Sequence, residues 1–143
     1  MRDIIVSVTL PPDYMPTDKE PFMSPMMLEY FRQKLLAWRS ELLSQSTETL
    51  QHLQETTTPE ADLADRASTE TDRSLELRTR DRARKLIAKI DGALARVESG
   101  DYGYCRETGE PIGISRLEAR PIATLSIEAQ ERHERMERTH RDD

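Results

Sequence analysis

Apolar residues recur in steps of three and four after Ser24-Pro25: Leu28, Phe31, Leu35, Trp38 and Leu42. That spacing predicts a helix with a coiled-coil seam. Ser24 is suited to the N-cap and Pro25 to the first helical position. The helix should run to about Glu55, roughly 45 Å at 1.5 Å per residue. Thr56-Thr57-Thr58-Pro59 then interrupts it, because three β-branched residues and a proline favour a loop. A second helix should begin between Pro59 and Asp65 and continue past Leu75, Leu77, Ala83, Leu86, Ile87, Ile90, Leu94 and Val97, with Gly100 as its C-cap. Two helices of similar length joined by a short connection should lie antiparallel. The seam is richest at Phe31, Leu35 and Trp38 and at Leu86, Ile90 and Val97. Toward the turn, Thr and Gln replace Leu.

The flanking segments follow other patterns. Residues 1–24 form an N-terminal arm expected to pack on a globular base, with Pro11, Pro12, Pro16 and Pro21 barring a long helix. After the hairpin of residues 25–99, the segment 100–124 is rich in Gly and Pro, and Ile112, Ile114, Leu117, Ile122 and Leu125 supply a small core. Residues 125–143 read as a polar, solvent-exposed C-terminal helix. The fold class is mainly α: a long antiparallel helical hairpin on a small base.

Composition narrows the functional classes. Of 143 residues, 36% are hydrophobic and 34% charged, which favours an extended helical protein over one rich core. The net charge of −6 argues against direct grip on a phosphate backbone. No apolar run is long enough to cross a bilayer, and Ile4 to Leu10 makes a poor signal peptide. The single cysteine, Cys105, excludes an internal disulfide framework and points to a reducing, cytoplasmic setting.

The candidate chemistry lies in Asp62-Leu63-Ala64-Asp65-Arg66-Ala67. These residues fall at the hairpin tip (56–67), where neutral groups would be ordinary. Acidic residues near a helix N-terminus also complement the macrodipole, by about 0.3–1 kcal/mol, and both roles can coexist. There is no Ser/His/Asp or Cys/His arrangement, glycine-rich phosphate loop or HExxH motif, and the chain is expected not to be an enzyme. Most charges of the second helix suit a solvated face supported by i,i+4 pairs such as Glu76–Arg80 and Asp81–Lys85.

Four stretches resemble the DksA family, the RNA polymerase-binding regulators of the DksA/TraR zinc-finger group: FRQKLLAWRSELL (31–43), DLADRA (62–67), SLELRTRDRARKLIAK (74–89) and DYGYCRETGEPIGISRLEARPIATL (101–125). The resemblance implies a coiled coil inserted through the polymerase secondary channel, with Asp62, Asp65 and Ala67 acting near the catalytic centre. It implies destabilised promoter complexes and cooperation with ppGpp in the stringent response, without sequence-specific DNA binding. Leu86, Lys89 and Arg120 match positions contacting ppGpp; Arg82, Arg116 and Gln130 are further candidate contacts to polymerase or ppGpp. Gln130 stands where responsive members have Lys, so the synergy should be weaker.

The resemblance also exposes a departure. Typical members fold around zinc with two Cys-x-x-Cys pairs. Here the frames read Cys105-Arg106-Glu107-Thr108 and Ser126-Ile127-Glu128-Ala129. One thiolate remains of four, so zinc is not expected and no metal or other cofactor should be required. Structural zinc contributes on the order of 10 kcal/mol or more to isolated fingers, so other interactions must hold this base, with hydrogen bonds from Thr108 and Ser126 among them. A lone thiol also cannot form an internal disulfide, and function should persist under oxidative or zinc-poor conditions. The chain is expected to be a monomer. Two alternatives compete: a Gre-like channel factor promoting transcript cleavage, and a structural coiled-coil oligomerisation protein.

Overall fold

Four helices account for the regular structure of this computed structural model, which describes residues 9–55 and 63–142: α1 (Pro25–Glu55), α2 (Leu63–Ser99), α3 (Ile114–Ala119) and α4 (Ile127–Asp142). The chain divides into two compact units, residues 1–35 with 92–143 and residues 36–91. The unit boundary therefore passes through both long helices.

In the 36–91 unit, α1 and α2 run antiparallel. The pairs that join them establish the direction: Arg39 meets Asp91 at 2.7 Å and His52 meets Glu76 at 2.6 Å. Leu42, Ala83 and Ile90 are buried, whereas Leu75 and Leu77 are about half exposed (53% and 50%). Packing thus weakens along α2 from Ile90 toward Leu75, where leucines are left exposed. Asp81 pairs within α2 with Arg84 and Lys85. Glu76 reaches across to His52 instead of forming the expected local pair with Arg80. Trp38 is only half-buried.

The other unit is built on the ends of the same helices. Ser24 caps α1: its hydroxyl accepts the Met27 N–H at 3.3 Å and its carbonyl accepts the Leu28 N–H at 2.9 Å. Met27, Phe31 and Leu35 of α1 and Ala93 and Val97 of α2 are buried, as are Tyr102 and Leu117. Phe31 stacks tilted on Tyr102 with centroids 5.7 Å apart. The Tyr102 hydroxyl donates to the Pro121 carbonyl at 2.8 Å, which satisfies both groups in the interior. Burial pushes this phenol well above its ordinary pKa, so it remains a neutral donor. Lys34 of α1 ties down α3 by donating to both the Glu118 carbonyl and carboxylate, each at 2.9 Å.

The proline-rich segment before α1 docks on this unit. Phe22 packs edge-on against Tyr104 at 5.4 Å. Met23, at φ 54, lies where a Cβ on Gly103 would come within 2.8 Å of its Cε. Gly103 is therefore favoured by its own φ of 93, and a larger residue would also displace the end of the Met23 side chain. Tyr14 donates to Glu20, whose other partners include Ser24 at 3.1 Å. Burial and the neighbouring Glu20 push the Tyr14 phenol up to about 12.

Candidate functional site

The two frames that the sequence aligns with a metal site come together in the 1–35/92–143 unit. A tight loop forms first: the Cys105 N–H donates to the Glu110 carbonyl and the Gly109 N–H to the Cys105 carbonyl, both at 2.8 Å. Tyr104 and Pro111 form an antiparallel bridge beneath it. The Arg106 N–H then donates to the Thr124 carbonyl at 2.9 Å, joining this loop to the segment before Ser126.

Each of the four positions is engaged within the protein itself. Cys105 is 2% exposed, at the floor of a surface cleft. Burial raises its thiol pKa. The Thr108 hydroxyl and the backbone N–H groups of Ser126, Thr108 and Glu107 converge on the sulfur, outweigh burial, and bring the pKa down to about 6. Thr108 Oγ1 also accepts the Glu110 N–H at 3.2 Å. Ser126 caps α4, its hydroxyl accepting the Ala129 N–H at 3.2 Å and its carbonyl the Gln130 N–H at 2.9 Å. Glu128 follows in the first turn, favourable to the helix dipole. Ala129 is fully buried. The backbone holds amides around a sulfur while one thiolate, two engaged hydroxyls and a methyl group stand in the four places.

This donor set does not fit tetrahedral zinc, which needs Cys or His at nearly every position. Among the described residues, no three His, Cys, Asp or Glu side chains are grouped to hold a metal ion. His133 lies near the frame but is engaged with Glu107 at 2.9 Å; Glu107 also meets Arg132 at 3.8 Å. These contacts fasten α4 to the loop.

The remaining sequence candidates fall in different parts of the chain. Asp62 lies outside the described residues. Asp65 is in the first turn of α2, and Ala67 is exposed, its carbonyl accepting the Thr71 hydroxyl at 3.0 Å. Leu86 is half-buried while Arg82 and Lys89 are exposed, all three in the 36–91 unit. Arg120 follows the last turn of α3, its N–H donating to the Arg116 carbonyl at 2.7 Å, and its side chain is exposed. No carboxylate among the described residues pairs with Lys89 or Arg120. Arg116 is a structural strut, Nε donating to the Leu125 carbonyl at 2.8 Å. Gln130 is half-buried and donates to Glu134 at 3.3 Å.

Sequence reasoning missed the cap formed by Ser126, the link from Glu107 to α4, and the backbone bond from Arg106 to Thr124. The first had a local signal, Ser followed two residues later by Glu at the start of a polar helical run. The others join residues distant in sequence and had none.

No helix among the described residues is long and apolar enough to cross a membrane.

Known proteins match this chain along nearly its whole length. The family model for the DnaK suppressor protein DksA, N-terminal domain, matches residues 27–97. The model for the prokaryotic dksA/traR C4-type zinc finger matches residues 100–135. The RNA polymerase-binding transcription factor DksA of Caulobacter vibrioides is 71% identical over 131 residues, 92% of each chain. Its counterpart in Escherichia coli K12 is 48% identical over 109 residues, 76% of this chain and 72% of that one. The solved structure of transcription factor DksA2 from Pseudomonas aeruginosa superposes with a TM-score of 0.77 at 41% identity, covering 96% of this chain and 98% of that chain.

Proposed function

The chain belongs to the DksA family, and on that premise we propose that it is a non-enzymatic regulator of transcription that binds RNA polymerase. It enters through the secondary channel, and its tip, Asp62, Asp65 and Ala67, acts near the catalytic centre on the stability of promoter complexes. The observation that supports this most strongly is the 71% identity to a protein named as an RNA polymerase-binding transcription factor. The antiparallel pairing of α1 and α2, with burial fading toward Ala67, is consistent with a tip adapted to meet a partner.

The regulator works with ppGpp during starvation. Leu86, Lys89 and Arg120 contact the nucleotide at the interface with polymerase, where charge-assisted bonds from Lys and Arg suit its phosphates. Gln130 supplies no charge, so the synergy is reduced. The protein acts in the cytoplasm as a monomer and does not read DNA sequence itself. It needs no zinc, because hydrogen bonding around Cys105, the Ser126 cap and the Tyr102 core support the base.

The test is transcription from a sensitive promoter with Asp65→Asn. Affinity for polymerase stays close to that of the unaltered protein and the effect on transcription is lost. A large loss of affinity with unchanged specific activity would contradict the reading. A transcript-cleavage assay separates it from a Gre-like role, which the acidic tip alone would also suit.

A further inference from the structure

Beside the cysteine frame lies an open cleft of about 760 Å³ lined by Arg96, Gly100, Asp101, Tyr104, Cys105, Arg106 and Gly109. It contains none of the residues assigned above to ppGpp or polymerase.

Two guanidinium groups dominate its charge. Arg96, in the last turn of α2, is half-buried, and its Nη1 lies 3.6 Å from where a Cβ on Gly92 would sit. Arg106 lines the same cleft, and burial first, then the charge of Arg106, lower the pKa of Arg96. The negative end of the helix dipole gives Arg96 a local reason to be there. It gives none for Arg106, which comes from the loop and is exposed.

Nearby acids offset the pair only in part. Glu107, next to Arg106, is turned to Arg132 and His133 of α4. Asp101, which also lines the cleft, accepts the Ser99 hydroxyl at 2.9 Å and keeps its charge, so it offsets one of the two cations at most. Among the described residues, no carboxylate pairs with either Arg96 or Arg106. The Tyr104 ring is held edge-on by Phe22, and its hydroxyl has no hydrogen-bond partner among the described residues. Added Cβ atoms at Gly100 and Gly109 would meet nothing within 4 Å, so the mouth is open.

Two cations in one cleft, neither in an ion pair, repel each other, and an anion placed between them relieves that cost. Guanidinium forks match phosphate oxygens in geometry as well as charge. We propose that this cleft binds a phosphate group between the guanidiniums of Arg96 and Arg106, with the Tyr104 hydroxyl as a third donor.

The test is an NMR titration of the full chain with inorganic pyrophosphate at constant ionic strength, following the arginine Nε–Hε signals. Saturable shifts confined to Arg96 and Arg106 and their surroundings are expected. Arg106→Gln should weaken binding about tenfold, the loss of one bond to a charged group, while Arg106→Lys retains part of it and Asp101→Asn tightens it. The backbone spectrum of Arg106→Gln should stay native, since that side chain is exposed. A nucleoside diphosphate should bind as well as pyrophosphate; binding of the nucleotide alone would assign recognition to the base and overturn the proposal. Non-saturating shifts across all arginines, or unchanged affinity in Arg106→Gln, would also overturn it.

Discussion

The Ser126 hydroxyl accepts the backbone N–H of Ala129 at 3.2 Å, so two positions of the stretch matched by the C4-type zinc-finger model form the start of a helix. The exchange is chemically economical. A serine at a helix N-cap satisfies an otherwise orphaned donor, and a fully buried alanine occupies little space. Ser126→Ala should destabilise the protein by about 1 kcal/mol in urea unfolding. Thr108→Cys, Ser126→Cys and Ala129→Cys combined should restore four thiolates and bind near one equivalent of zinc, with a rise in Tm reversed by chelator. The unaltered protein should show no Tm change with chelator; a drop would contradict a metal-free base.

Stability should depend on pH through Cys105. Its pKa in the folded state, about 6, lies below that of an ordinary thiol, about 8.5. The thiolate therefore stabilises the fold. This contribution is complete above the unfolded pKa and is lost as pH falls through about 6. Urea unfolding at a series of pH values should show the advantage over Cys105→Ala growing between these limits and levelling off above them. Parallel curves would contradict it.

The interior of the base depends on Tyr102. Tyr102→Phe keeps the ring against Phe31 but leaves the buried Pro121 carbonyl without its donor, and should cost about 1–3 kcal/mol. Tyr104→Phe, which removes a hydroxyl without a hydrogen-bond partner among the described residues, should change stability little. Equal losses in the two variants would mean that the Tyr102–Pro121 bond is not the reason.

Gln130→Lys should strengthen the response to ppGpp. The substituted ammonium would add a phosphate-binding charge beside Arg120 in the proposed complex, at the cost of the present bond to Glu134. The readout is the ratio of promoter inhibition with and without the nucleotide. An unchanged ratio would remove Gln130 from the account of weak synergy.

Much of the helical architecture was legible because its signals are local. Ser24-Pro25 marks a helix start by capping chemistry, and Gly100 marks an end by its φ of 87. The seam positions Phe31, Leu35, Ile90 and Val97 are buried as their spacing implies. Ile114 and Leu125, assigned to the small core, are only half-buried. The central residue there is Tyr102, whose polar hydroxyl gives no sign in the sequence of burial, because the Pro121 carbonyl that accepts from it is 19 positions away. Glu76 shows the same difficulty in the hairpin: its i+4 arginine is visible in the sequence, whereas its actual partner, His52, is 24 positions earlier. The roles of Asp65, Lys89 and Arg120 rest on resemblance, because a contact surface for a partner leaves no periodic or capping signal in the sequence.

Site-specific crosslinking to RNA polymerase tests the central proposal most directly. A photoreactive residue in place of Ser68, exposed on α2 one position past Ala67, should label polymerase elements deep in the secondary channel beside the catalytic centre. Label confined to the outer surface of polymerase, or no label under conditions where the proteins associate, would contradict insertion of the tip.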